Sequence, residues 1–189
     1  MTIKSLVYQE MNESHGNWST DRYKDIILNI ILAIYLSEKF DTIYQELLDE
    51  GDGFEEYEYL YEAADTFFIP PESRWNNIVK NIEIKDNAVI FDNALNYLKH
   101  ANPILKEIIL PFSIFRIGKS ALDKSALKTF IYLFNDQLNK NKHVQKEKWI
   151  ELYKSFLEDF ARFDEKYDCY LKKFIDEYYP VLHRDTLST

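Results

Sequence analysis

Between Ile26 and Leu36 the chain reads IILNIILAIYL, in which ten of eleven residues are apolar or Tyr and only Asn29 interrupts. No polar face can be drawn on such a run. A helix that is apolar on every side has to be covered on every side, so the stretch predicts one long buried helix over about residues 19–50. Ser19 is placed to cap its first amides, Asp21 puts a negative charge in the first turn, and Gly51 and Gly53 supply the stop. From Phe40 onward the pattern becomes one-sided: Phe40, Ile43, Tyr44, Leu47 and Leu48 recur at helical spacing, with Glu38, Lys39, Glu46 and Asp49 between them. A bilayer span needs about 20 apolar residues. This run is far shorter, so no membrane is expected.

The remaining segments then have to act as cover. Only 4 Gly and 5 Pro occur in 189 residues, and none falls between Lys119 and Tyr179. With abundant Leu, Ile, Lys and Glu, that composition predicts an all-α helical bundle. The 14 Tyr, 13 Phe and 3 Trp make rings its main packing material. The net charge of −9 argues against nucleic-acid binding by bulk electrostatics, so any DNA contact needs a local basic patch. One cysteine, Cys169, rules out an internal disulfide and suits a reducing compartment. No apolar leader run opens the chain, and the expected location is cytoplasmic. The histidines, His15, His100, His143 and His183, share no ligand spacing, so no metal site is expected. The carboxylates Glu55, Glu56, Glu58 and Glu62 form a solvated acidic face or an electronegative partner surface.

Taken in order, residues 3–11 predict a short helix, and Tyr57 to Ala64 another. In FFIPPESRW, Phe67 to Trp75, two prolines force an extended entry and Pro71 opens a helix with Trp75, Ile78 and Val79 inward. The loop packs one helix onto another, or it presents Arg74. Residues 82–91 read either as a hairpin about Asp86–Asn87 or as a helix capped there and running to Lys99; the helix is favoured because two strands alone are marginal. Pro103 opens a short helix that ends before Pro111. Asp123 caps a helix from Lys124 to about Leu138, with Leu127, Phe130, Ile131 and Phe134 as its buried stripe. Asn139 to His143 is a polar hinge and the expected domain boundary. Beyond it, Trp149, Tyr153, Phe156, Phe160, Phe163, Tyr167, Tyr170 and Phe174 are spaced 4, 3, 4, 3, 4, 3, 4, a heptad seam made of rings. Asp164 divides the seam into a helix or helix pair, and Pro180 ends it. Such a seam packs on the chain's own bundle or on another protein.

In this order the segments resemble the N-terminal helical domain of the modification (M) subunit of type I restriction–modification systems, the N6-adenine DNA methyltransferase subunit. YKDIILNIILAIYLSEKFD, Tyr23 to Asp41, is similar to that family's first long helix. FFIPPESRW is similar to its Phe-Trp-Val-Pro-Pro-Glu-Ala-Arg-Trp loop. NPILKEIILP (Asn102 to Pro111), LDKSALKTFIYLF (Leu122 to Phe134) and LYKSFLEDFA (Leu152 to Ala161) resemble the stations that follow. The family's catalytic half, with a Gly-rich S-adenosylmethionine turn and an Asn-Pro-Pro-Phe/Tyr motif, has no counterpart here: Pro70-Pro71 lies between Ile69 and Glu72.

The resemblance implies residues 1–140 as the M-subunit-like helical domain and 141–189 as a helical extension packed on it or on a partner. It implies a non-catalytic accessory domain that contributes to DNA clamping and subunit assembly, with S-adenosylmethionine expected only in a catalytic domain outside these residues. Partners are DNA, weakly or within a complex, and the methyltransferase and specificity subunits. The candidate DNA-side residues are Arg74, Arg116, Lys119, Lys124 and Lys128; Trp149, Tyr153, Phe156 and Phe160 are the candidate partner contacts. The rival expectation is a stand-alone acidic interaction protein that regulates or inhibits a restriction–modification complex.

Overall fold

The computed structural model describes residues 2–13, 20–64, 66–83, 86–111, 121–140 and 147–183, with side chains at all of these except 20–22 and 121–124. The expected cap Ser19 lies outside the described residues, and so does the side chain of Asp21. The chain is all-α, with no strand among the described residues. In order come α1 (Ile3–Glu13), α2 (Thr20–Glu50), α3 (Glu58–Ala63), a 3-10 turn (Pro71–Ser73), α4 (Trp75–Asn81), α5 (Asn87–Ala101), α6 (Leu105–Ile108), α7 (Ala121–Lys140), α8 (Glu147–Ala161), α9 (Glu165–Lys173), a π turn (Phe174–Tyr178) and α10 (Tyr179–Leu182). Among the described residues, no helix is long and apolar enough to cross a membrane.

The long helix is buried as its sequence requires. Every residue from Ile26 to Ser37 is buried, Asn29 included. Helices α4, α7 and α8 pack directly on α2. Past Glu38 the helix emerges into solvent on one side, and Gly51 and Gly53, at φ 76° and 74°, terminate it in the left-handed region that glycine enters without penalty. The ambiguous segment after Ile82 is helical: the Asp86 side chain accepts the Ala88 amide at 3.2 Å and opens α5. Helix α7 starts by Ala121, so Asp123 stands inside its first turn rather than at its cap. Its stripe of Leu127, Phe130, Ile131 and Phe134 is fully buried as expected.

The ring-lined C-terminal segment differs from a continuous seam. The Asp164 carboxylate accepts the Lys166 amide at 3.0 Å, caps α9 and reverses the chain. Helices α8 and α9 therefore form a hairpin whose arms face each other through rings: Phe160 meets Tyr167 at 5.6 Å and Tyr153 meets Phe174 at 4.9 Å. Phe163, in the turn, leaves the seam and is 90% exposed. Pro180 does not end the helix either. The Tyr179 amide bonds back to Phe174 across a π turn, and Pro180 then enters α10 at its start, where a missing N–H costs least.

Two acidic clamps hold this hairpin down. Lys4 and Asp159 approach to 2.6 Å, with the Tyr8 hydroxyl donating to the same carboxylate at 2.9 Å. Lys24, on α2, pairs with Asp164 at 3.1 Å beneath the rings of Phe160 and Tyr167. Burial pushes Asp159 and Asp164 up, but hydrogen bonds from Lys4 and Tyr8 to the first, and from Lys24 and the Lys166 amide to the second, outweigh it and hold both carboxyls below their ordinary value.

Two outcomes are expected. Asn29 Nδ2 donates to the Leu110 carbonyl and its Oδ1 accepts the Leu110 amide, both at 3.0 Å and buried. Asn29→Leu strands both backbone groups and should cost roughly 2–4 kcal/mol in urea denaturation. A carboxyl with a depressed folded pKa contributes stability above its unfolded value, near pH 4, which is lost as pH falls through the folded value. Asp159→Asn with Asp164→Asn should therefore flatten the acid limb of a stability–pH curve measured by the same method.

Candidate functional site

The loop from Phe67 to Trp75 is where the sequence concentrates its most specific pattern, and its local structure follows from its residues. The two prolines take the chain in extended form to Pro71, which opens a single 3-10 turn with the Ser73 amide on the Pro70 carbonyl at 2.8 Å. Arg74 then adopts an extended conformation and α4 begins at Trp75. Ser73 Oγ, fully buried, donates to the Ala94 carbonyl of α5 at 2.7 Å. The Trp75 amide donates to Ser37 Oγ of α2 at 3.0 Å, and its indole N–H to Asn135 of α7 at 3.2 Å. Asn102, after α5, donates to the Phe68 carbonyl at 2.8 Å. Three helices, α2, α5 and α7, are thus tied to nine residues of loop.

Arg74 sits at the centre. Its guanidinium stacks on Phe40 and Tyr44, 4.7 and 4.8 Å from the ring centres. Its Nε donates to the Ile69 carbonyl at 3.1 Å, and its terminal nitrogen pairs with Glu56 at 2.7 Å. This is a satisfied, largely enclosed cation that closes the end of α2 over the loop. Of the other candidate cations, Arg116 and Lys119 lie outside the described residues, and Lys124 is on α7 with its side chain outside them. Lys128 points outward, pairs with Glu83 at 3.2 Å and lies over the Tyr132 ring. The two described cations each end on a carboxylate of their own chain.

The candidate partner residues face inward. Trp149, Tyr153, Phe156 and Phe160 are buried, and they meet Phe134, Phe174, Tyr8 and Tyr167 of the same chain. The Tyr153 and Tyr170 hydroxyls stand 3.1 Å apart, and Tyr170 donates on to the Ile108 carbonyl. Among the described residues no group of three His, Cys, Asp or Glu side chains could hold a metal ion. Cys169 is exposed and unpaired by disulfide.

A cavity of about 400 Å³ escaped the sequence reading. Tyr8, Met11, Lys24, Asp159, Phe160, Arg162 and Phe163 line it. It is assembled from α1, α2 and the end of α8, segments up to about 150 positions apart, and no local pattern announces it.

A family model described as the HsdM N-terminal domain matches residues 15–148, which takes in the whole of the loop and its three anchoring helices. No curated protein matches the chain. Arg74→Lys keeps the charge but loses the planar stack and the fork of donors. It should cost about 1–3 kcal/mol in urea denaturation; an unchanged midpoint would make the clasp idle.

Proposed function

The chain belongs to the HsdM N-terminal domain family, which places it in the setting of a type I restriction–modification methyltransferase subunit, and on that footing we propose a non-catalytic helical accessory domain that helps hold DNA and joins the subunit to its complex. The family match over residues 15–148 carries the reading. Supporting it, the loop that best marks the family is built as a rivet: Ser73, Arg74 and Trp75 spend their polar groups on α2, α5, α7 and the loop itself. A rigid module suits positioning other parts. In this reading S-adenosylmethionine belongs to a methyltransferase domain with which the chain acts, and the specificity subunit is a further neighbour.

With Arg74 enclosed, the DNA half of the proposal rests on the start of α7. Lys124 and Lys128 are one turn apart and share a helix face, and the sequence places Arg116 and Lys119 just ahead of them. The Lys128–Glu83 pair has side-chain exposures of 38% and 57%. Exposed pairs of this kind are worth little, so a phosphate can replace Glu83.

The test is salt dependence. Each phosphate contact contributes about 0.9 to the slope of log K against log salt. Lys124→Glu with Lys128→Glu should weaken binding to a duplex in the assembled methyltransferase complex and make that slope shallower by about 1.8. Fluorescence anisotropy across a salt series measures it, and an unchanged slope removes both lysines from the interface.

A further inference from the structure

Charge in this chain is segregated. From Phe40 to Ser73 there are eleven Asp and Glu and no Lys, Arg or His, a balance of −11. The other residues hold 21 acids against 23 bases, a balance of +2. The whole formal charge thus resides at one end of the molecule, where α2 emerges, turns at Gly51 and Gly53 and enters α3. Arg74, just past this segment, is ion-paired into it, to Glu56.

That acidic end also carries rings it does not bury. Phe54, Tyr57 and Tyr59 are 46%, 50% and 58% exposed, and Leu48 beside them is 39% exposed. Four of the nine large exposed hydrophobic side chains among the described residues fall in these twelve positions. They form a connected ladder: Phe54 meets Tyr57 edge-on at 5.4 Å, and Tyr57 meets Tyr59 at 5.9 Å. The backbone beneath is pinned. Tyr61 is fully buried and stacks on Phe40 at 4.7 Å, its hydroxyl donates to the Glu55 carbonyl, and the Tyr57 amide donates to Phe54 at 3.0 Å. A clustered apolar surface on a fixed support marks a contact site more than scattered exposure does.

We propose that Phe54, Tyr57 and Tyr59, with the carboxylates between and around them, form a docking surface for an arginine-bearing basic segment of a partner protein. The chemistry selects that partner. Carboxylates interleaved with rings repel phosphate and attract cations. Rings favour the guanidinium, which stacks while its edges pair with carboxylates. The molecule shows the arrangement once already: Arg74 lies over Phe40 and Tyr44 and pairs with Glu56. Tyr57, Glu58 and Tyr59 offer the same groups outward. The surface uses neither Lys124 nor Lys128, so failure of the DNA assignment leaves it standing.

A fluorescein-labelled 16-residue peptide alternating arginine with alanine and leucine, and its all-lysine counterpart, test this on the full chain. The wild type should bind the arginine peptide at least fivefold more tightly than the lysine one. Phe54→Ala with Tyr57→Ala and Tyr59→Ala, which keeps every carboxylate, should weaken arginine-peptide binding at least tenfold and abolish the preference. Tyr59→Ala alone, the most exposed of the three, should lose part of it with an unchanged circular-dichroism melt. Equal binding of both peptides, or a triple variant that binds as the wild type does, reduces the surface to bulk charge and overturns the proposal. So does absence of binding, or a wild-type dimer that the triple variant makes monomeric.

Discussion

A helix without a polar face turns the rest of its chain into a jacket. Apolar burial drives that wrapping but gives it no direction, because it scales with area and not with orientation. The few polar groups on the buried part of α2 supply the direction. Asn29 takes both backbone groups of Leu110 and fixes where the chain passes after α6. Ser37 accepts the first amide of α4. Lys24 meets Asp164 at the turn between α8 and α9. Tyr35 and Lys39 both donate to the Leu182 carbonyl at the end of α10. Between them these side chains index four different segments. Misplacing one segment would leave a buried group unpaired, which costs more than the bond itself contributes.

The C-terminal hairpin is part of that jacket although α8 lies almost wholly past the end of the family match. Helix α8 packs on α2 and α9 packs on α8. The rings between the arms bring hydroxyls with them, which find partners as they are buried: Tyr167 donates to Asp25 at 2.8 Å and Tyr170 to the Ile108 carbonyl. An aliphatic seam would have covered α2 equally well. Tyrosine adds a polar tip to each contact, so the hairpin is fastened as well as apposed.

Periodicity carried most of the helix assignments, because it is a property of neighbours along the chain. The all-round burial of residues 26–36 and the stripe of α7 could be read directly, and the helix capped at Asp86 was the favoured of two readings. The direction taken after a turn could not. A 4-3 spacing of rings is satisfied alike by one helix facing a broad surface and by two arms facing each other, and only the reversal at Asp164 decides between them. Phe163 shows the consequence: its spacing is that of a seam residue, and its place in the turn leaves it in water. The cavity beside it was hidden for a related reason, being built from Tyr8, Lys24 and Asp159, which no pattern links in sequence. Arg74 was legible as special and not as enclosed, since the rings that enclose it, Phe40 and Tyr44, lie some thirty positions earlier on α2.

That enclosure bears on what a family-marking motif means. The nine residues from Phe67 to Trp75 are among the most specific in the chain, and their polar groups are largely committed inward. Pro70 and Pro71 shape the entry, Ser73 holds α5, Arg74 closes over the end of α2, and Trp75 reaches α2 and α7. A pattern of this kind identifies a fold because several helices depend on it at once; it does not follow that a ligand does. Function in such a module has to reside on surfaces that the packing leaves unused. Here one such surface is the run of carboxylates interleaved with exposed rings where α2 ends. An acidic face of that kind is suited to meeting a basic protein surface, and the rivet at Arg74 keeps it fixed with respect to the helix it caps.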